Sequence, residues 1–334
     1  MDAGLDWGIS VVLALQGFGP GLAPLMKALS FLGKVEFYLL VLPAIYWCCD
    51  SCLGLRLGLM LMLSSGANDA LKIAFHSPRP FWISDAVSAL AAEPSFGFPS
   101  GHAQQASCVW GLLAGRVRRW WGWATAAAVV SGVGLSRLYL GVHFPVDVWG
   151  GWIVGALILL AFVRFDKLVS SWLARRGLAE QVALAFVASM LPLALTALSL
   201  ASVGSWQLPL SWREAALAAS GEAIDPFTPR YAVTAAGVML GVGAGAALTS
   251  HWGGVSPSGS AARRLARYVV GMLGLVVLWL AIEQVMSTRV MTWLAAALQY
   301  ASGSLLGAWV AVLAPLLFVR LGLAESGHRR QVRL

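Results

Sequence analysis

Two histidines and an aspartate are the residues of this sequence best suited to break a bond: His102, His143 and Asp147. His143 and Asp147 are one helical turn apart, so the carboxylate can hold the imidazole in one tautomer and stabilise its protonated form. A neutral, oriented imidazole is a competent nucleophile toward phosphorus. His102 can protonate the leaving oxygen and then activate water. We therefore expect His143 to be the nucleophile, Asp147 its partner and His102 the general acid and base.

Basic residues near these groups are suited to bind an anion. A helix running through Lys72 and Arg79 would place both on one face. Arg137 adds a third cation, and a guanidinium fork matches phosphate oxygens better than an ammonium does. Ser100 is a favoured helix N-cap and Gly101 permits close backbone approach, so the free N–H groups of this helix start face the bound anion. The sequence therefore predicts a site for a phosphoryl group.

The residues around this site predict neither a metal nor another cofactor. No cluster of carboxylates accompanies the histidines, which favours a covalent mechanism through a phosphohistidine over two-metal hydrolysis. Cys48, Cys49 and Cys52 lie together in the segment CCDSC, but no histidine or second cysteine pair supports a metal site there. We interpret these three residues as unpaired thiols at a membrane interface.

The composition of the chain indicates a membrane protein. Of its 334 residues, 59% are hydrophobic and 11% are charged, and the mean hydropathy is +0.76. A soluble globular protein carries roughly 25% charged residues, which it needs to cover its surface. The net charge is +8, but the basic residues occur in short clusters between long apolar runs rather than in one stripe. This pattern excludes a cytosolic enzyme, a disordered protein and a nucleic-acid partner.

The apolar runs predict a series of transmembrane helices. A span needs about 20 apolar residues, and lipid offers no partners for the backbone, so each span is helical. We expect spans near residues 35–50, 53–75, 101–116, 120–140, 146–164, 178–203, 231–250, 267–286 and 293–319. The segment 9–33 is interrupted by GFGPG at 17–21 and contains Lys27, which predicts an interfacial or re-entrant hairpin and leaves a full crossing as the alternative.

The loop charges predict the orientation of these spans, because cytoplasmic loops are enriched in Lys and Arg. Basic residues cluster at 116–119, 164–176, 263–267 and 320–333, and alternating spans place all four clusters on one side. The loops 77–100, 141–146 and 204–230 then lie on the opposite side. The predicted site residues all reach this second edge. We therefore expect an integral protein of the bacterial inner membrane with its site on the extracytoplasmic face.

Three motifs of the sequence, intact and in this order, resemble the signature of a known family: Lys72-x6-Arg79-Pro80, Pro99-Ser100-Gly101-His102 and Ser136-Arg137-x5-His143-x3-Asp147. They are similar to those of the type 2 phosphatidic acid phosphatase and vanadium haloperoxidase superfamily, in its membrane-bound lipid phosphate phosphatase branch. The resemblance implies a six-helix catalytic core and metal-independent hydrolysis of a phosphomonoester or diphosphate. It also implies catalysis by His143, Asp147 and His102, and phosphate binding by Lys72, Arg79, Ser100, Gly101 and Arg137.

The predicted fold is an all-α polytopic membrane helix bundle. We assign residues 1–176 to the phosphatase core, and residues 177–334 to additional transmembrane helices and a basic cytoplasmic tail. These C-terminal helices have no counterpart in the minimal core that the resemblance implies. Their role, which includes packing, lipid entry or assembly of a homo-oligomer, stays open.

The expected function is hydrolysis of a lipid phosphate through a phosphohistidine. Phosphatidic acid, phosphatidylglycerol phosphate and isoprenoid phosphates or diphosphates fit a site at the depth of lipid headgroups, and a soluble phosphate such as a sugar phosphate stays open. The alternative is a polytopic transporter or binding protein for a lipid or anion that uses the same cations without catalysis. Binding alone needs cations but no nucleophile, so the presence of His102, His143 and Asp147 favours the hydrolase.

Overall fold

A computed structural model describes residues 3–286 and 292–326 of the protein. Every predicted span forms a helix, and within the described residues the only β-pairing is one isolated bridge between Val255 and Ser326. The helices are α1 Ala3–Gln16, α2 Ala23–Phe31, α3 Val35–Cys48, α4 Ser51–Phe75, α5 Pro80–Ile83, α6 Gly101–Val117, α7 Trp120–Tyr139, α8 Pro145–Leu173, α9 Leu178–Val203, α10 Leu210–Ser220, α11 Arg230–His251, α12 Ala261–Met286, α13 Thr292–Ala308 and α14 Ala314–Arg320. The prediction of an all-α membrane fold is confirmed.

The predicted spans differ in how well they meet the requirements of a membrane helix. Among the described residues, five helices are long and apolar enough to cross: Pro145–Leu173, Leu178–Val203, Arg230–His251, Ala261–Gln284 and Trp293–Arg320. These correspond to α8, α9, α11, α12 and the pair α13 and α14. The other four predicted spans, α3, α4, α6 and α7, form helices that are shorter or more polar. Three of these four, α4, α6 and α7, carry predicted site residues, and polar side chains there lower the hydropathy.

The N-terminal segment bends where the sequence predicts a break. Helix α1 and the segment Pro20–Phe31, which comprises a short 3₁₀ turn and α2, are inclined to each other by 83°. Gly19, with φ of 86°, occupies the left-handed region that favours glycine. This geometry fits either a broken span or a re-entrant hairpin, as expected.

The described chain forms two compact units that interleave along the sequence. The first comprises the chain up to Tyr38, Ala67–Val163 and Leu195–Pro229; the second comprises Leu39–Gly66, Arg164–Ala194 and the chain from Arg230 onward. Helices α3, α4, α8 and α9 each contribute residues to both units. The predicted boundary at 176/177 divides the chain at a single point in the sequence, whereas the two compact units are defined by contacts between residues. The predicted boundary therefore stays a prediction.

The first unit holds α6 and α8 in close contact, which fixes the start of α6. A Cβ atom on Gly151 would lie 2.5 Å from the Ser100 carbonyl oxygen, and one on Gly155 would lie 2.5 Å from the Gln104 carbonyl oxygen. Only glycine therefore allows the two backbones to approach this closely. The Ser100 side chain caps α6 by accepting a hydrogen bond from the Ala103 amide.

The second unit is organised around the contact between α11 and α13. Gly237 and Gly241 of α11 face backbone atoms of α13, and Gly303 and Gly307 of α13 face α11 in return. Small residues on both partners allow helices in membranes to pack closely, where the hydrophobic effect does not drive them together. The closely spaced glycines Gly241, Gly243 and Gly245 predict from sequence a face for close helix packing, and the contacts of Gly241 confirm that role.

A buried arginine in the second unit orders the loop between α11 and α12. The Arg267 guanidinium donates hydrogen bonds to the carbonyl oxygens of Ser256 (2.9 Å), Pro257 (2.8 Å) and Ser258 (2.8 Å). The segment GGVSPSGS is therefore a folded loop around a cation. Its triplet Pro257-Ser258-Gly259 is not followed by a histidine, unlike the triplet Pro99-Ser100-Gly101, which precedes His102.

We expect Gly241→Ala to destabilise the contact between α11 and α13. The added methyl group would overlap the Ser304 carbonyl oxygen and the Ala308 amide, and overpacking of this kind costs about 1–3 kcal/mol. The thermal unfolding temperature in detergent, followed by tryptophan fluorescence, measures the effect. Gly58→Ala in α4 is the matched control, because a Cβ atom there meets no atom within 4 Å. Equal unfolding temperatures for both variants would contradict the assignment.

Candidate active site

All eight predicted site residues lie in the first unit, at or beside the ends of five helices. Lys72 is in the last turn of α4, and Arg79 precedes α5. The segment from Ser100 to His102 begins α6, and Arg137 ends α7. His143 lies in the connection to α8, and Asp147 is in the first turn of that helix. The structure therefore assembles residues from distant parts of the chain, as the loop topology predicts.

His143 and Asp147 form a direct, buried pair. The Nδ1 atom of His143 lies 3.2 Å from Oδ2 of Asp147, and the same oxygen accepts a hydrogen bond from the Phe144 amide at 2.8 Å. The carboxylate thus orients the imidazole and also binds the backbone amide just before α8, and its role in catalysis stays a prediction. An Nη1 atom of Arg79 lies 3.2 Å from Nε2 of His143. Because arginine only donates, Nε2 carries the lone pair and Nδ1 carries the proton.

The surroundings of His143 keep its imidazole neutral. Burial first, and then the positive charges of Arg79 and Lys72, lower the pKa of His143 well below its usual value of 6.5. A neutral ring with its lone pair on Nε2 is the form that a nucleophile requires.

Carbonyl groups of two loops hold the Arg79 guanidinium. It is fully buried and donates hydrogen bonds to the carbonyl oxygens of Ser95 (2.6 Å), Val142 (2.8 Å) and Phe96 (3.0 Å). Lys72 shares this environment, since its Nζ donates to the Phe96 carbonyl oxygen at 2.6 Å and to the Ser95 hydroxyl at 3.0 Å. The loop before α6 therefore fixes two of the three predicted phosphate-binding cations.

Arg137 and His102 retain buried nitrogens with no hydrogen-bond partner. One terminal nitrogen of Arg137, Nη1, donates to the Ser30 hydroxyl at 2.7 Å, and the other, Nη2, contacts the Glu93 carboxylate. Within the part of the chain that the structure describes, Nε of Arg137 and Nε2 of His102 have no partner. An unsatisfied buried polar atom costs about 1–3 kcal/mol, and a phosphate oxygen beside these two predicted site residues would satisfy both nitrogens.

The start of α6 is fixed from both sides. The Ser100 amide donates to the Asp147 carbonyl oxygen at 2.9 Å, and Asn68 of α4 donates to the Pro99 carbonyl oxygen at 3.1 Å. A Cβ atom on Gly101 would lie 2.9 Å from the Asn68 side chain, so glycine is required at this position. The predicted helix start is therefore confirmed in its geometry, and phosphate binding there stays a prediction.

Sequence reasoning missed several polar partners, and Glu93 is the most important. Its carboxylate contacts Arg137 and lies 3.6 Å from Nη2 of Arg79. The sequence does contain an indication of this role, because Glu93 is the only acidic residue between Asp85 and Asp147 that could pair with the predicted cations. The contribution of Ser30 had no such signal, since it reaches the site from α2, which carries none of the three motifs.

The segment that links α9 to α11 packs against the site loop with aromatic side chains. The ring of Phe96 lies 5.1 Å from Phe227 and 6.0 Å from Trp206, and its carbonyl group accepts the hydrogen bonds from Lys72 and Arg79. His76 packs against Trp206, with ring centroids 4.5 Å apart and ring planes inclined by 48°. The aromatic segment therefore contacts both the site loop and the connection that follows α4.

Two models of known protein families match parts of this chain. The PAP2 superfamily profile matches residues 53–170, which contain the three motifs. A second profile, described as the transmembrane extension of PAP2 superfamily phosphatases, matches residues 233–326. The chain belongs to the PAP2 superfamily. The resemblance inferred from the motifs is confirmed, and the C-terminal helices of this PAP2 protein match a known extension of the superfamily.

Several characterised PAP2 proteins are similar to this chain over part of its length. It is 33% identical over 123 residues to phosphatidylglycerophosphatase B of Bacillus subtilis, which covers 33% of the chain and 58% of that protein. It is 27% identical over 168 residues to lipid phosphate phosphatase delta of Arabidopsis thaliana, covering 46% and 40% respectively. The match thus spans about half the length of these relatives. A crystal structure of a transmembrane PAP2-type phosphatidylglycerolphosphate phosphatase from Bacillus subtilis is 27% identical and covers 51% of the chain and 89% of that structure, with a TM-score of 0.44.

We expect the lowered pKa of His143 to make folding sensitive to acid. The unfolded chain takes up a proton at this residue near pH 6.5, whereas the folded chain keeps the ring neutral. Stability from this residue is therefore present above pH 6.5 and is lost below it, by up to about 1.4 kcal/mol per pH unit. The thermal stability of the wild type relative to His143→Gln should fall as the pH is lowered from about 7.5 to about 5.5. A difference that does not change with pH would contradict this expectation.

Proposed function

We propose that this protein is an integral-membrane phosphatase that removes the phosphate of a lipid through a phosphohistidine at His143. One observation carries the proposal: a buried imidazole, oriented by Asp147, lies beside the buried guanidinium of Arg79, and nitrogens of Arg137 and His102 lack partners among the described residues. A site that only binds an anion needs no oriented nucleophile. The names of the relatives, which include phosphatidylglycerophosphatase B and lipid phosphate phosphatase delta, support a lipid substrate.

The first chemical step transfers the phosphoryl group to the protein. A phosphate oxygen takes over the N–H of Arg79 that now faces His143, which frees the Nε2 lone pair to attack phosphorus. The bond between phosphorus and the lipid oxygen breaks as the P–N bond forms, and His102, which enters this step in its protonated form, gives its proton to the leaving oxygen. Asp147 stabilises the positive charge that develops on His143. Arg79 and Arg137 neutralise the equatorial oxygens.

The second step returns the protein to its starting state. His102 accepts a proton from a water molecule, whose oxygen attacks the phosphohistidine. The P–N bond breaks, inorganic phosphate leaves, and His143 regains its lone pair. The positive charges that this reaction requires come from Lys72, Arg79 and Arg137, so the proposed cycle needs no metal ion.

The substrate is proposed to be amphiphilic because of where the site lies. Its residues occur at the ends of membrane helices, and the neighbouring outer face of α8 exposes Ile153, Leu157 and Leu160 by 60%, 61% and 65%. A lipid tail can remain against such apolar surface while its phosphate enters the polar site. Phosphatidic acid, phosphatidylglycerol phosphate and isoprenoid diphosphates are the candidate substrates.

Purified protein should release phosphate from these lipids in the presence of a chelator, and His143→Ala should lower the rate at least about a thousandfold. His251→Ala is the matched control, since that histidine is exposed at the end of α11, in the second unit. Release of phosphate from glucose 6-phosphate tests whether a soluble phosphate ester is also a substrate. Full activity of His143→Ala would overturn the proposal. Transport of a lipid or anion across liposome membranes by the protein, without release of phosphate, would favour a transporter.

The phosphohistidine itself should be trapped by rapid acid-free quenching with a phosphorus-labelled lipid. The wild type should retain label on the protein, whereas His143→Ala, which lacks the proposed nucleophile, should retain none. Label that persists in His143→Ala would place the intermediate on another residue.

We propose that the site faces the extracytoplasmic side, and thiol labelling tests this. Ala86 is exposed in the loop before α6, and Ala174 is exposed at the end of α8. In a background with Cys49→Ser and Cys52→Ser, an impermeant maleimide should label Ala86→Cys in intact cells and Ala174→Cys only after permeabilisation. The reverse pattern would place the site on the cytoplasmic side.

A further inference from the structure

The Glu93 carboxylate occupies the region between the two arginines of the site. It lies on the loop between α5 and α6, contacts Nη2 of Arg137 and lies 3.6 Å from Nη2 of Arg79. Its side chain is 20% exposed, whereas those of Arg79 and Arg137 are buried. The proposed catalytic cycle uses the other acid of the site, Asp147, and gives Glu93 no role.

Glu93 is an anion throughout the physiological pH range. Burial by itself raises the pKa of its carboxyl group, but the positive charges of Arg137 and Arg79 outweigh burial and hold that pKa well below its usual value of 4.5. A carboxylate in this place is chemically close to a phosphate, because both present oxygens that accept charge-assisted hydrogen bonds from guanidinium groups.

The pattern of contacts at Arg137 identifies what Glu93 blocks. A guanidinium can bind an oxyanion with two parallel hydrogen bonds along the edge formed by Nε and Nη2. In this structure Glu93 takes Nη2, while Nε is buried without a partner among the described residues. Nη1, on the opposite edge, donates to Ser30. The edge that suits a phosphoryl group is therefore half occupied by the protein's own carboxylate.

We propose that Glu93 is an internal competitor for phosphate, which occupies Arg137 when the site is empty and is displaced when a phosphoryl group binds. The inference rests on the proposed function for the identity of the substrate, and on the contacts of Arg137 for the site itself. Displacement lets a phosphoryl group take both Nε and Nη2. Return of the carboxylate favours release of the phosphate product. Glu93 would thus set the affinity of the site for phosphate.

Binding of inorganic phosphate to the full chain in detergent, measured by calorimetry, tests this competition. Glu93→Gln keeps the size of the side chain and removes its charge, so the variant should bind phosphate about tenfold more tightly than the wild type. Glu222→Gln, an exposed glutamate in the segment before α11, is the matched control and should bind like the wild type. Unchanged or weaker binding by Glu93→Gln would overturn the inference, because Glu93 would then hold the arginines in place for phosphate.

Hydrogen exchange of the wild type provides a measurement that does not depend on folding of the variant. If phosphate displaces Glu93, the backbone amides of residues 84–98 should exchange faster at saturating phosphate than without it. Slower or unchanged exchange in this segment would overturn the inference.

The two proposals fail separately in these experiments. If no lipid loses phosphate but Glu93→Gln still binds inorganic phosphate about tenfold more tightly, then the proposed function is wrong and Glu93 remains a competitor. If lipid phosphates are hydrolysed but Glu93→Gln does not bind phosphate more tightly, then the competition is wrong and the phosphatase stands.

Discussion

The need to stabilise buried positive charge governs the architecture around the site. Lys72, Arg79 and Arg137 are at most 7% exposed, and a buried cation without acceptors is strongly unfavourable. Hydrogen bonds to loop carbonyl groups meet this need for the first two, since Ser95 and Phe96 accept from them. The loop before α6 must therefore fold over the cations. The aromatic side chains of the segment between α9 and α11 then pack against that loop, so a segment outside the motifs supports the site.

The same need explains why three of the helices that build the site, α4, α6 and α7, are poor membrane spans by composition. Helices α4, α6 and α7 carry buried polar residues such as Asn68, Gln104 and Ser136, and they fall short of the length or hydropathy of the five clear spans. Polar groups in a membrane protein are tolerated where they face the protein interior and find partners. Asn68 meets this condition by donating to Pro99 and Gln104, which also fixes the start of α6.

Internal partners occupy the groups that would hold a substrate. Arg79 donates toward the lone pair of His143, and Glu93 contacts Arg137. Each of these contacts satisfies a charge that would otherwise be buried alone, and each uses a donor that suits a phosphate oxygen. Among the eight predicted site residues, Arg137 and His102 each keep a buried nitrogen without a hydrogen-bond partner in the described part of the chain. Substrate binding, as proposed, is then an exchange of partners.

The sequence by itself determined the class of fold, the family and the eight residues that meet at one set of helix ends, because long apolar runs and motif spacing are local properties. It also predicted the break near Gly19 and the packing role of Gly241. Only the tertiary structure brought Ser30, Glu93, Trp206 and Phe227 to the site, since these residues come from segments whose separation along the chain says nothing about their distance in space. The structure also shows that polar side chains of α4, α6 and α7, such as Asn68, Gln104 and Ser136, are buried, because the partners that bury them are not contained in a one-dimensional pattern.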